Sequence, residues 1–300
     1  MKVAIQGFRG SFHEVAARQY FGAEAALGFC ATFGEVVAQV ADGRADAALM
    51  AMENSLAGSI LPNYLLLERN PLTITGEIYL PIHQHLLVLP GTRLADIQAV
   101  HSHPMALRQC GDYLSQHPAW QLIETEDTGL SAQLLAERQT PGVAVIAGAQ
   151  AAEAFGLAIL APAINDDPHN YTRFLVLERT AEAAPVPRPD KASLYFYTSH
   201  APGMLARVLT LIASLGLNLS KLQSCPRPSQ PWHYGFHADV EFAALEQLQA
   251  LLTELPTVTE ELRVLGAYQR GSMEFGAAGE EIETHHEPHA EFRKASLPRH

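Results

Sequence analysis

A neutral hydroxyl, a fixed cation and an aromatic ring stand side by side in Asn170-Tyr171-Thr172-Arg173-Phe174, a set suited to a small anionic substrate. Thr172 offers a hydroxyl that both donates and accepts, and Arg173 a guanidinium fork that matches a carboxylate. Thr172 to Val176 has the β-branched and aromatic content of a strand, running on into Leu177. Alternation along it sends Thr172 and Phe174 to one face and Arg173 to the other. Two roles for Arg173 stay open: anchoring a substrate carboxylate, or fixing the backbone from the opposite face. Phe174 is either an apolar wall that excludes water or a plain core ring.

Three further segments carry comparable chemistry. Gly10-Ser11-Phe12-His13 follows the apolar Val3-Ala4-Ile5, Glu53-Asn54-Ser55-Leu56-Ala57-Gly58-Ser59 follows Ala47-Ala48-Leu49-Met50, and Ser102-His103-Pro104 with Gln109-Cys110 follows Ile97-Gln98-Ala99-Val100. Each sits where a strand hands over to a turn or helix, the place where open α/β sheets bind ligands and where helix N-termini present unpaired N–H groups to anions. Ser11, Ser55 and Ser59 lie in glycine-containing turns and serve as donors around an anion or as helix caps. Arg9 reads as solvated.

The elements that must position these groups follow an α/β rhythm over residues 1–180. Helical stretches at His13 to Phe21, Phe33 to Asp42, Leu61 to Glu68, Met105 to Gln116, Thr128 to Glu137 and Ala147 to Phe155 alternate with short apolar runs, among them Leu72 to Ile78 and His85 to Leu89. Residues 181–190 are rich in Ala and Pro and read as an extended linker. Residues 191–268 then read as βαββαβ, the ferredoxin-like order, with strands at Ala192 to Tyr197, Asn218 to Ser224, Trp232 to Phe242 and Val258 to Leu265 and helices at Gly203 to Leu215 and Leu245 to Glu254. Residues 269–300 turn polar and read as a disordered tail.

With 48% hydrophobic and 17% charged residues in 300, the chain has material for a large core and for more than one domain. A net charge of −12 argues against nucleic acid or an anionic membrane as partner, and it means that an anionic substrate needs a local arginine. Three widely spaced cysteines, Cys30, Cys110 and Cys225, fit reduced thiols, and the start at Met1-Lys2-Val3 shows no signal peptide. A cytoplasmic protein is expected.

In order and spacing, residues 1–268 resemble prephenate dehydratase carrying a C-terminal ACT domain. The resemblance implies a two-lobed, periplasmic-binding-protein-like catalytic domain, the chain crossing near Glu77 to Pro81 and returning near Ile159 to Asn165. It implies loss of water and carbon dioxide from prephenate to give phenylpyruvate, without metal or organic cofactor. Asn54, Gln109 and Thr172 match the family's Glu-Asn-Ser, Gln-Cys and Thr-Arg-Phe motifs. Thr172 would hydrogen-bond the departing hydroxyl as proton donor or relay, while the two amides orient the substrate. Two positions depart from the family: His13 stands where serine or threonine is common, and Met105 where glutamine is usual.

Ala201-Pro202-Gly203-Met204-Leu205 resembles the glycine turn of ACT domains, which implies phenylalanine as a feedback effector held by Gly203, Met204, Leu205, Gln223, Ser224 and Pro226. The second ACT signature, commonly Glu-Ser-Arg-Pro, is here Gln223-Ser224-Cys225-Pro226, with both charges gone. A homodimer or homotetramer is implied by analogy. Arogenate dehydratase, a prephenate decarboxylase that does not aromatise the ring, and a non-enzymatic amino-acid sensor are the alternatives. Thr172 argues against the second, which has no departing hydroxyl. His83 with His85, His101 with His103, and the tail residues His285, His286 and His289 lack an identifiable third ligand or an ordered setting, and read as non-catalytic.

Overall fold

The computed structural model describes residues 1–227, 230 and 232–272. The first lobe is built from β1 (Lys2–Gln6), α1 (Phe12–Phe21), β2 (Ala26–Cys30), α2 (Phe33–Ala41), β3 (Ala47–Asn54), the short β4 (Gly58–Ser59), α3 (Leu61–Arg69) and β5 (Leu72–Pro81). The chain then crosses to a second lobe: β6 (His85–Val88), β7 (Ala99–Ser102), α4 (Pro104–Arg108), α5 (Gly111–Ser115), β8 (Gln121–Glu124), α6 (Thr128–Arg138), β9 (Val143–Ala147), α7 (Ala149–Phe155) and β10 (Ala158–Ala161). It returns to the first through β11 (Tyr171–Arg179). The two sheets run β2-β1-β3-β11-β5 and β10-β6-β9-β7-β8, so β11 slots between β3 and β5 as a central strand.

Local chemistry explains the helix starts. Ser11, Thr32 and Asp127 accept the backbone N–H groups of Glu14, Glu35 and Leu130, capping α1, α2 and α6. The single helix expected over Met105 to Gln116 is instead two. Cys110, at φ −120°, interrupts it, and the Asp166 carboxylate accepts from Gly111 N and Asp112 N at 3.0 Å each, which restarts the helix as α5.

A third sheet follows, made of β12 (Lys191–Tyr197), α8 (Met204–Ser214), β13 (Asn218–Pro226), β14 (Tyr234–Glu241), α9 (Leu245–Glu254) and β15 (Glu261–Tyr268), with strand order β13-β14-β12-β15. This is the ferredoxin-like arrangement. The last strand starts three residues later than its composition suggests, because Leu255–Thr257 first forms a 3-10 turn.

Every residue of β12 is buried, because both faces of this sheet are covered. Phe196, Leu194 and Ala192 face α8 and α9, whereas Tyr195, Tyr197, Cys225, Leu265 and Tyr268 join Val37, Met50, Tyr64, Leu67 and Ile74 of the first lobe in one core. The backbones approach so closely that a Cβ at Gly266 would overlap the Ile74 carbonyl. Residues 269–272, expected in the disordered tail, instead continue as coil: Gln269 donates to Pro187 O, Arg270 N to Asp190 and Gly271 N to Glu77. The tail histidines His285, His286 and His289 lie outside the described residues. No described helix is long and apolar enough to cross a membrane.

Candidate active site

Two strand ends and one helix break converge in the crevice between the lobes. β3 and β11 pair antiparallel with Asn54 opposite Thr172 and Glu53 opposite Arg173, and then the ladder slips so that Ala51 faces Phe174. Met52 is the extra residue of a bulge. It decides which way Asn54 points, because strict alternation from Met50 and Met52, both packed on the ferredoxin-like side, would have carried Asn54 to that side too.

The Asn54 Oδ1 accepts from Leu56 N at 3.1 Å and Ala57 N at 2.9 Å, which fixes the orientation of its amide. Its Nδ2 therefore faces Asn170 Oδ1 at 2.7 Å and Thr172 Oγ1 at 3.1 Å. Asn170 Nδ2 in turn donates to Gln109 Oε1 at 3.0 Å, and Gln109 Nε2 returns to Asn54 Oδ1 at 3.4 Å. The three amides form a ring with all donors running one way round, and Gln109 closes it from the second lobe. Such a ring polarises each member. Thr172 hangs from it as an acceptor. Its own O–H has no acceptor among the described residues and is left to donate.

Beside the ring a cavity of about 370 Å³ is lined by Leu56, Ala57, Met105, Arg108, Gln109, Asp166 and Asp167. That volume suits a small molecule. Arg108 is the cation in this lining; it is exposed, and among the described residues its guanidinium donates to Met105 Sδ alone, at 3.8 Å. A depression of similar size by Met1 and Phe21–Ala25 shares no residue with the ring.

Several candidate residues sit elsewhere. Arg173 points away from the crevice and is buried, with Nε on Glu77 at 2.7 Å, Nη1 on Asp239 at 2.5 Å and Nη2 on the Tyr268 hydroxyl at 3.1 Å. Alternation outweighed charge, so it is not in reach of a ligand in the cavity. Phe174 is a core ring under α1, meeting His13 edge-on at 5.0 Å. His13 is thus a packing residue, its pKa pushed down to about 4 by burial. Ser11 caps α1, and Ser59 receives Lys221 Nζ at 2.8 Å on the ferredoxin-like side. Ser55 borders the crevice, but its hydroxyl ties Tyr171 N to His169 O. Met105, the other departure from the family pattern, does line the cavity.

Two residues escaped the sequence reading. Asn170 opened the first segment singled out but carried no assigned role; its position just before a strand gives no signal that its side chain turns inward and is fully buried. Arg108 was one exposed helix arginine among several. Among the effector residues, Gly203 takes φ +81° ahead of α8 with open space around its α-carbon, Met204 and Leu205 are half-buried, and Gln223 donates to Ser224 O on the edge strand β13. Pro226 closes that strand and is exposed. No group of three or more His, Cys, Asp or Glu among the described residues is arranged to hold a metal.

Residues 3–182 match the family model of prephenate dehydratase. The chain is 35% identical over 272 residues to the bifunctional chorismate mutase/prephenate dehydratase of Enterobacter agglomerans, covering 89% of this chain and 70% of that one. It is 37% identical over 286 residues to the chloroplastic arogenate dehydratase 5 of Arabidopsis thaliana, covering 89% and 67%. Among solved structures, the prephenate dehydratase of Arthrobacter aurescens in complex with L-Phe superposes with a TM-score of 0.81 at 30% identity, over 90% of each chain. With its two-lobed α/β architecture and this breadth of match, the chain belongs to the prephenate dehydratase family.

Proposed function

We propose that the crevice converts prephenate to phenylpyruvate in phenylalanine biosynthesis, with Thr172, Asn54 and Gln109 as catalytic residues. The ring C–O bond and the bond to the ring carboxylate break together: the electron pair of the bond to the carboxylate enters the ring and completes the aromatic system as carbon dioxide leaves, while the C–O pair departs with hydroxide, which takes up a proton to become water. Aromatisation drives the reaction. The enzyme's tasks are to assist a poor leaving group and to orient the carboxylates. The observation that carries this reading is the amide ring that holds Thr172 Oγ1 as an acceptor, so that its proton faces outward to the departing oxygen. Arg108 takes the carboxylate-anchoring role that charge alone had suggested for Arg173. Turnover of prephenate is followed by the absorbance of phenylpyruvate, which alone carries a new benzene ring. Thr172→Ala should lose most of it and Thr172→Ser should keep it; equal turnover in Thr172→Ala would remove the assignment.

Arogenate is the second reading. Asp166 and Asp167 line the cavity beside Arg108, an arrangement that suits the ammonium and carboxylate of an amino-acid side chain. A paired kinetic assay on both substrates separates the two.

We further infer three functional units: 1–180 catalytic, 181–190 connecting, and 191–268 an ACT domain that takes L-phenylalanine as effector in a cytoplasmic homodimer or homotetramer. The ferredoxin-like topology, the Gly203 turn and the phenylalanine bound to the Arthrobacter relative support this. An effector acts by its different affinity for two states. Turnover measured against phenylalanine, with Gly203→Ala alongside, should show inhibition weakened in the variant; equal activity at every phenylalanine level would end the idea.

A further inference from the structure

The cross-strand pair next to Asn54–Thr172 is Glu53–Arg173, and both of its members are held by the ferredoxin-like unit. Lys221 Nζ of β13 reaches Glu53 at 2.7 Å and the Ser59 hydroxyl at 2.8 Å. Asp239 of β14 holds Arg173 at 2.5 Å, and its other oxygen accepts from Ser193 at 2.6 Å. Glu77 of β5, completely buried, joins Arg173 to Lys191 of β12, which stands 3.0 Å away. On one side of the sheet end lies the amide ring; on the other lie charges contributed by three strands of the third sheet.

Stability alone does not call for this arrangement. A buried ion cluster gains little over apolar side chains of the same size, since removing each charge from water offsets most of the attraction. What it does supply is a defined geometry. The bulge at Met52 separates the last two pairs of the β3–β11 ladder from the regular register, so the contacts of Glu53 and Arg173 have unusual leverage over their neighbours. Consecutive Cα atoms are about 3.8 Å apart, and a shift of Glu53 or Arg173 is carried directly to Asn54 or Thr172.

We propose that Lys221 and Asp239 are positioning residues: by fixing the Glu53–Arg173 pair they set the spacing of Asn54 and Thr172 across the crevice. The inference rests on the proposed role of those two side chains in turnover. It makes the third sheet part of the working catalytic unit even with no effector bound.

The test uses the full chain with Lys221→Met, Lys221→Arg and Asp239→Asn, reading kcat, KM, melting temperature and the ¹⁵N–¹H signals of the Asn54 side-chain amide. Lys221→Met should lower kcat about tenfold with KM nearly unchanged, because misplacement by a fraction of an ångström acts on the transition state. Lys221→Arg should restore most of it, and Asp239→Asn should lower kcat independently and move the same amide signals. A purely structural role would lower the melting temperature and leave kcat of the folded protein and the Asn54 signals in place; that result overturns the proposal. If the parent enzyme turned over no prephenate, the proposed function would fall, while the Asn54 signals in Lys221→Met and Asp239→Asn would still decide the positioning.

Discussion

Replacing Arg173 with methionine separates the role that its charge suggests from the one that its position dictates. A substrate anchor would show itself as a raised KM at unchanged stability. The structure gives the opposite expectation. The side chain is 6% exposed, and its loss leaves two carboxylates without a guanidinium. They are not equally affected: Glu77 keeps Lys191 at 3.0 Å and the Gly271 N–H at 3.1 Å, whereas Asp239 keeps, among the described residues, only the Ser193 hydroxyl as a close donor. Most of the cost therefore falls on Asp239, and breaking a buried pair from one side costs about 3–5 kcal/mol. At about 2 °C per kcal/mol for a chain of this size, the melting temperature should fall by about 6–10 °C.

The pH dependence provides an internal check. In the parent, burial pushes the Asp239 carboxyl up, but Arg173, Ser193 and Lys191 overcome this and hold it below the usual carboxylate range. A depressed folded-state value means a stabilising contribution that is present above the unfolded pKa and lost as pH falls through the folded one. In Arg173→Met burial has the upper hand, the carboxyl is raised, and its charge destabilises at neutral pH but not once it is protonated. The deficit of the variant should accordingly shrink as the pH falls from the variant's raised value, above the ordinary aspartate range, down to the parent's lowered one. Adding Asp239→Leu should recover more than half of the loss at neutral pH. Urea unfolding of the three proteins across pH reads all of this. An unchanged urea midpoint in Arg173→Met, together with a KM raised about tenfold or more, would refute the reasoning and return Arg173 to the substrate.

Asn170→Ala opens the amide ring without touching the cavity; kcat should fall about tenfold or more, with about 1–3 kcal/mol of stability lost through the unpaired Asn54 and Gln109 groups, as steady-state kinetics and urea midpoints will show. Arg108→Gln should raise KM about tenfold and leave kcat and the urea midpoint near those of the parent, since the arginine is exposed. His237 is 3% exposed, between Tyr64 and Tyr195, and burial lowers its pKa from 6.5 to about 4. The folded state resists its protonation, so stability is full above 6.5 and falls as pH drops toward 4, by up to about 3 kcal/mol; His237→Phe should remove that part of the slope in unfolding measured across pH.

The α/β rhythm and the ferredoxin-like order were legible because they rest on periodicity over long stretches, whereas the crossover between lobes came from the family resemblance. The meeting of residues 54, 109 and 172 was legible only through family resemblance, since no local pattern connects segments so far apart. Three features were hidden for physical reasons. Asn170 has no sequence mark that separates an inward amide from a turn residue. The bulge at Met52 is an apolar residue inside an apolar run, so a strict period of two misdirects everything after it. The burial of Arg173 depended on carboxylates contributed by β5 and by a strand of another sheet, 66 residues further along. Alternation did contain the answer for Arg173, and the attraction of a cation to an anionic substrate obscured it.

The size of the Thr172→Ala effect says which kind of help the hydroxyl gives. A neutral hydrogen bond is worth about 0.5–1.5 kcal/mol and one to a charged group about 1.5–3. As the C–O bond breaks and the oxygen gains charge, a Thr172 hydrogen bond strengthens by the difference, which lowers the barrier by about 1–2 kcal/mol, or about tenfold in rate. Proton transfer through a positioned acid is worth about a hundredfold to ten-thousandfold. Such a relay needs a titratable group behind the threonine. The group behind it is the Asn54 amide, which donates to Thr172 Oγ1 and cannot pass on a proton at neutral pH. In the proposed reaction Thr172 would therefore act as an oriented donor, with solvent supplying the proton that completes the water. Thr172→Ala should cost about ten- to a hundredfold, the upper part coming from the disturbed ring, and the ratio of parent to variant should stay constant from about pH 6 to about pH 8. A loss near ten-thousandfold that varies with pH would mean that an acid outside the amide ring feeds the threonine.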